Sequence, residues 1–206
     1  MIPGPAYRIQ TKRLLIRSYN PEDAALLEAA IKGSLEHLKP WMPWAHNEYE
    51  ETIQSRIERL RHFRGWFDQD QDYIYGIFTP DQMRLIGGTG LHKRAGEGAL
   101  EIGYWIHQDF INQGLATEAA AALTNIGFEI HHVARMEIHC DPANVRSAAV
   151  ARKLGYEHEA TLKKHYRFLE SWRDLEIWTL HRKNYPNSPS KKAVFKAYDA
   201  ANRRIN

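Results

Sequence analysis

The feature that most constrains this chain is a run of small and apolar residues that opens on a glycine. Gly114 is followed by Leu115, Ala116, Thr117 and Glu118, and then by Ala119, Ala120, Ala121 and Ala122. Leu115, Ala119, Ala122, Ile126, Ile130 and Val133 recur at steps of three and four. That spacing predicts a long helix over 117–131 with one buried stripe. Strand candidates flank it at 100–107 and 135–140, so the helix joins two strands and must be covered by the sheet they enter.

The other elements fall into place around this unit. Residues 14–17 read as a first strand. Asn20 precedes Pro21, Glu22 and Asp23, which is a capping residue, a proline at the first helical position and acids that suit the helix dipole. That helix runs to Lys32 and ends at Gly33. Pro40, Trp41, Met42, Pro43 and Trp44 form a stiff aromatic segment. A second helix spans 52–67, with Ile53, Ile57, Leu60 and Phe67 at helical spacing. Strands are expected at 73–78, 84–91 and 100–107, with a glycine-bearing turn at 96–98. After the strand at 135–140, a helix over 146–154 stops at Gly155, and 156–162 and 175–181 read as closing strands. The order is β-α-α-β-β-β-α-β-α-β-β. It predicts an α/β fold, a mixed sheet with helices on both faces, over residues 1–183. Residues 184–206 read as a linker and a basic C-terminal helix.

Composition narrows the function classes. The 206 residues are enough for one self-supporting core, and the single cysteine, Cys140, excludes an internal disulfide. No apolar run approaches the ~20 residues of a membrane span, and the N-terminus lacks a signal peptide's apolar stretch. A cytoplasmic protein is expected. The net charge of +3 is uneven: residues 182–206 carry seven Lys or Arg against Asp199 alone. Such a tail suits a weak contact with RNA or the ribosome surface, or a plain solvated helix. The histidines show no zinc-ligand spacing, so no metal is expected.

The segment Ile111, Asn112, Gln113, Gly114, Leu115, Ala116, Thr117 carries the chemistry. It joins a strand to a helix and places small residues where the helix begins. The first turn of a helix leaves N–H groups without internal partners, and these favour an anion. Gly114 and Ala116 let a diphosphate approach the backbone. A Walker pattern is absent, and Gly87, Gly88 and Gly90 lie within a strand rather than before a helix.

Six segments in register resemble the GNAT acetyltransferase superfamily, in its RimJ/RimL-like branch of ribosomal-protein N-terminal acetyltransferases. They are Glu101-Ile102-Gly103-Tyr104-Trp105-Ile106, Gln113-Gly114-Leu115-Ala116-Thr117-Glu118-Ala119, Asp141-Pro142-Ala143-Asn144-Val145-Arg146-Ser147 and Lys153-Leu154-Gly155-Tyr156. Thr11-Lys12-Arg13-Leu14-Leu15-Ile16-Arg17 and Trp172-Arg173-Asp174-Leu175-Glu176-Ile177-Trp178 complete the set. The resemblance implies the GNAT fold and acetyl-CoA as co-substrate. It implies that the pantetheine arm enters a gap between strands 100–107 and 135–140, beside Trp105 and Ile106. It places Asn112, Gln113, Gly114, Leu115, Ala116 and Thr117 on the diphosphate, and Asn144 on the pantetheine arm. Many members carry Gln or Arg where Ile111 stands, so weaker affinity is expected.

The reaction implied is attack of a primary amine on the thioester, directly and in a ternary complex. An α-amine titrates near ~7.7–8.0 and needs only a weak base, whereas a lysine near ~10.4 needs more help. Glu101 matches the catalytic glutamate of histone-type relatives; its plainer role is pairing with a basic side chain. His139 is a second candidate near the acceptor. Many members place a tyrosine acid where Ala151 stands here, and the branch offers Ser147 as donor to the thiolate instead. Cys140 reads as a small buried side chain. Trp41 and Trp44 are expected on the acceptor wall, ahead of Trp66 and Trp172. The expected acceptor is a protein N-terminal α-amine; a polyamine, an amino acid or an antibiotic is the alternative. A non-catalytic CoA-binding sensor or RNA-associated module is the reading of another class, and a monomer and a homodimer both remain open.

Overall fold

The computed structural model describes residues 4–47 and 51–206. Short strand β1 (Arg8–Gln10) turns into β2 (Leu15–Ser18). Asn20 caps a short 3-10 turn, and the Asp23 carboxylate accepts from the Asn20 N–H at 2.8 Å before α1 (Ala24–Lys32) begins. A four-residue α2 (Leu35–Leu38) and then α3 (Ile53–Asp68) follow. Thr52 caps α3 by accepting from the Ser55 N–H. Strands β3 (Tyr73–Phe78), β4 (Leu85–His92) and β5 (Ala99–Ile106) run as a meander into α4 (Leu115–Glu129). Then come β6 (Arg135–Cys140), α5 (Val145–Lys153), β7 (Glu157–Phe168), β8 (Ser171–His181) and β9 (Lys196–Tyr198).

The nine strands of the described residues form one sheet in the order β7-β8-β6-β5-β4-β3-β2-β1-β9. Every pairing is antiparallel except β5 with β6, which α4 joins as a crossover. The larger core packs α4 and α5 against one face, through Leu100, Ile102, Leu123, Ile126 and Ile138. A smaller core on the other face gathers Leu27, Ile31, Leu35, Leu60 and Phe78 around α1 and α3. The mixed sheet covered on both sides is the predicted architecture.

Two expectations fail, both where the C-terminal segment packs. The basic C-terminal helix does not form. Pro186 and Pro189 open short 3-10 turns, and Lys196–Tyr198 pairs with β1 as a sheet edge. The region lacks an apolar stripe to hold a helix, and Val194 is exposed. β1 offers an open edge instead. The single buried stripe of α4 is also too narrow. Residues 119–128 are buried all round, because segment 185–192 lies across the helix. Tyr185 stacks on Phe128 with ring centroids 4.4 Å apart and donates to Asn125 Oδ1 at 2.6 Å. Asn125 Nδ2 donates to the Ser190 carbonyl at 2.6 Å, and the Ser190 hydroxyl to the Leu154 carbonyl at 2.7 Å.

The closing hairpin is longer than the apolar pattern predicted, because edge strand β7 carries charged side chains that hide its periodicity. No helix among the described residues is long and apolar enough to cross a membrane.

His131, just past α4, packs on the Tyr73 ring at 4.6 Å, and its Nε2 is buried without a hydrogen-bond partner. Burial pushes its pKa down from 6.5 to about 4. The unfolded chain therefore takes up this proton at higher pH than the folded one. The stability that rests on the neutral ring is present above pH ~6.5 and is lost as the pH falls through about 4, by at most about 3 kcal/mol. Urea unfolding across this window should show a shallower acid loss in His131→Phe than in the wild type. Equal slopes would remove His131 from that role.

Candidate active site

The site begins where two strands part. β5 and β6 pair only at Ala99 with Arg135, Leu100 with Met136, and Glu101 with Glu137. Beyond that point β5 stays on β4 as far as Ile106, and β6 stays on β8 as far as Cys140. The edges between them are left to line a cleft of about 1490 Å³ that passes from the start of α4 through the gap to the opposite face. Its lining includes Trp105, Ile106, Asn112, Gly114, Leu115, Ala116, Thr117, Asn144 and Ser147.

At one end the turn into α4 has the geometry of an anion seat. Asn112 has φ 60° and Gly114 φ 75°, and the first α4 hydrogen bond runs from the Glu118 N–H to the Gly114 carbonyl. The N–H groups of Leu115, Ala116 and Thr117 thus have no helical acceptor. A left-handed backbone at Gly114 strains any other residue. Arg13 fixes the loop from outside. Its Nη1 donates to the Gln113 carbonyl at 2.8 Å and its Nε to Glu118 at 2.6 Å, while Thr11 donates to the same carboxylate at 2.6 Å. Gln113 lies away from the cleft, its side chain bonded to the Asp109 carbonyl at 3.1 Å. Ile111 packs against the larger core and also lines the cleft.

In the middle, Asn144 caps α5 by accepting from the Ser147 N–H at 3.2 Å. The Ser147 hydroxyl is 2.9 Å from the Tyr104 hydroxyl. Burial raises the Tyr104 pKa, so its phenol stays protonated and is able to donate. Cys140 is buried nearby; burial, and then the Glu176 carboxylate, push its thiol up to about 11. That is the reverse of an activated nucleophile.

On the other face the fork holds charge. Glu101 is 4% exposed, and Arg94 grips both its oxygens, Nε to Oε2 at 2.7 Å and Nη2 to Oε1 at 2.6 Å. Burial pushes the Glu101 carboxyl up, but the Arg94 hydrogen bond and the neighbouring His139 outweigh it and hold the group below its usual range. Glu137 is treated alike: burial raises its pKa, and bonds to His139 and Arg135 bring it below normal. His139 lies between the two acids, Nε2 2.7 Å from Glu137 and Nδ1 3.3 Å from Glu101. Next to them, His92 Nδ1 meets the Asp72 carboxylate at 2.8 Å.

Trp44 meets Trp105 edge-on at 6.1 Å, and both line the cleft with Trp41. Trp66 and Trp172 lie outside it; Trp172 is 61% exposed and lines, with Trp41 and Asp141, a second shallow groove. The structure therefore gathers Glu101, His139, Trp105, Ile106, Asn144, Ser147 and most of the loop around one passage. Sequence reasoning missed Asp72, His92, Arg94 and Tyr104. The signal for His92 was present in the glycines of β4 and β5: a Cβ at Gly90 would lie 2.6 Å from its ring, and one at Gly103 3.2 Å. Among the described residues no group of three His, Cys, Asp or Glu is placed to hold a metal ion.

Comparison with known proteins gives the same direction. Residues 13–157 match the family model described as an acetyltransferase (GNAT) domain. The chain is 29% identical over 180 residues to the [ribosomal protein uS5]-alanine N-acetyltransferase of Escherichia coli (strain K12), covering 85% of this chain and 91% of that protein. Mycobacterium smegmatis RimJ, solved in complex with CoA-disulfide, superposes with a TM-score of 0.81 at 22% identity, over 93% of this chain and 95% of that one. The microcin C7 self-immunity acetyltransferase MccE, solved with acetyl-CoA and AMP, gives 0.74 at 19% identity, over 83% and 93%. With its fork, its anion seat and a family match across 13–157, the chain belongs to the GNAT family of acetyl-CoA-dependent N-acetyltransferases.

Proposed function

We propose that the protein transfers the acetyl group of acetyl-CoA to the α-amine of a protein N-terminus, by direct attack in a ternary complex. The observation that carries this reading is a single cleft that crosses the sheet at the β5/β6 fork. The anion seat lies at one end and the aromatic wall of Trp41, Trp44 and Trp105 at the other. Two reactants can enter from opposite faces and meet in the gap, which removes most of the entropic barrier to their encounter. The relationship to the uS5-alanine N-acetyltransferase supports a protein N-terminus as acceptor. So does the second groove, which shares Trp41 and Asp141 with the cleft and leaves room for a polypeptide trailing from the reacting amine.

Acetyl-CoA supplies an activated acetyl thioester. The chain's own residues supply the rest. The N–H groups at 115–117 take the diphosphate, while Asn144 and the open edge of β5 near Trp105 and Ile106 receive the pantetheine arm. Ser147 donates to the departing sulfur, and the Tyr104 hydroxyl backs it at 2.9 Å. Glu101, with both oxygens engaged by Arg94, contributes negative charge beside the attacking nitrogen and is a poor carrier for its proton. In the tail, Lys191 pairs with Glu129 and Arg203 with Asp199.

Incubation with acetyl-CoA and a set of peptides with free N-termini should release thiol and yield α-acetylated peptide. Transfer to a polyamine or an amino acid alone would replace the acceptor assignment, and tight CoA binding without thiol release would point to a sensor. Glu101→Gln should lower kcat about 10- to 100-fold with unchanged CoA affinity, because it removes a charge and no cofactor contact. Cys140→Ala should keep kcat within about twofold, as direct transfer needs no acyl-cysteine; loss of turnover with intact folding would reopen a covalent route.

A further inference from the structure

The cleft contains a histidine arranged as a base, and neither the motifs nor the family match assigns it a role. We propose that His92, oriented by Asp72, accepts the proton of the attacking amine. This assignment rests on the acetyl-transfer reading above.

The argument is geometric. His92 ends β4 directly opposite Glu101 of β5. Its Nδ1 lies 2.8 and 3.1 Å from the two oxygens of Asp72, in the connection between α3 and β3. The Nδ1–H donates to that carboxylate, which leaves the lone pair on Nε2. Nε2 has no hydrogen-bond partner among the described residues, and His92 lines the cleft. The ring lies over Gly90 and Gly103, which face each other across β4 and β5. A Cβ at Gly90 would come within 2.6 Å of Nε2, and one at Gly103 within 3.2 Å. Any side chain at either position would displace the ring or cover its free nitrogen. Gly103 lies two residues beyond Glu101, where the β5/β6 ladder ends, so Nε2 borders the mouth of the gap.

The other titratable groups here are already engaged. Arg94 holds both oxygens of Glu101, and each ring nitrogen of His139 faces a carboxylate. Asp72, Glu101 and Arg94 are the charged groups that surround His92, with Lys93 adjacent in the chain and Glu137, His139 and Arg135 behind Glu101. An imidazole with a carboxylate on Nδ1 and an open Nε2 is the arrangement that activates nucleophiles on unrelated folds. Here the nucleophile is the substrate's own nitrogen. The N–C bond forms as the C–S bond breaks, and the amine proton moves to Nε2. The sulfur leaves with the bonding electron pair as a thiolate, which the Ser147 hydroxyl holds by a hydrogen bond until solvent protonates it. Solvent then removes the proton from His92, which balances the one taken by the thiolate.

The test is the pH profile of kcat for the full chain, with acetyl-CoA and a peptide acceptor saturating, from about pH 5.5 to about 9.5. The acceptor's own titration bends kcat/KM, so kcat is the informative quantity. His92→Gln and His92→Ala should lower kcat by about 100-fold or more and flatten its acid limb, with CoA affinity intact. Added imidazole should restore turnover to His92→Ala, a rescue that a merely structural role would not give. Asp72→Asn keeps the ring and loses its orienting charge; it should show a smaller loss and a displaced acid limb, and it serves as the probe should the His92 variants fold poorly. An unchanged kcat and acid limb in His92→Gln or in Asp72→Asn overturns the assignment. A wild type that acetylates no amine overturns the acetyl-transfer reading itself, and the role of His92 with it.

Discussion

The structure depends on a ladder that stops after three residue pairs. β5 and β6 are held together at 99–101 and 135–137 and then diverge, each still bonded to its outer neighbour. A sheet opened in its middle leaves main-chain donors and acceptors that must find partners elsewhere, and buried groups of this kind are costly when unmet. Such an opening persists only if the flanking elements enforce it, and it leaves strand edges able to take backbone-like hydrogen bonds from a ligand. The fork also explains the buried charge. Glu101 and Glu137 face each other at its vertex, and Arg94, Arg135 and His139 are bonded to them. Removing one partner would strand a buried carboxylate, which costs far more than a surface ion pair contributes.

The anion seat is held in place by remote parts of the chain. Glu118, in the first turn of α4, is bound by Thr11 and Arg13, in the turn between β1 and β2. β1 is in turn flanked by β9, from the tail. The last residues therefore brace the turn that grips the start of α4, and segment 185–192 covers the same helix from outside. A tail that looks detachable by composition is part of the frame that positions the loop opening α4.

Much of this was legible in the sequence because it is local. The cap at Asn20, glycine at 114 and 155, and the apolar spacing of α4 each act within a few residues. The gap could be anticipated only through resemblance, since spacing alone does not say where a ladder ends. What escaped was non-local. The 191–204 segment has helix-forming residues, but the open edge of β1 outcompeted a helix with no apolar face. The broad burial of α4 was hinted at by its alanines and by the lack of charge between Glu118 and Glu129. Asp72 and His92 are twenty residues apart, and only the paired glycines beneath the ring, at 90 and 103, marked their meeting place.

The most direct test of the central claim is a titration of the isotopically labelled protein with CoA, followed through backbone amide resonances. The account predicts saturable shifts at 115–117, at 102–106 along β5 and at 138–140 along β6, with β9 unmoved. Saturable binding that leaves the amides of 115–117 and both parted strands unperturbed would contradict it.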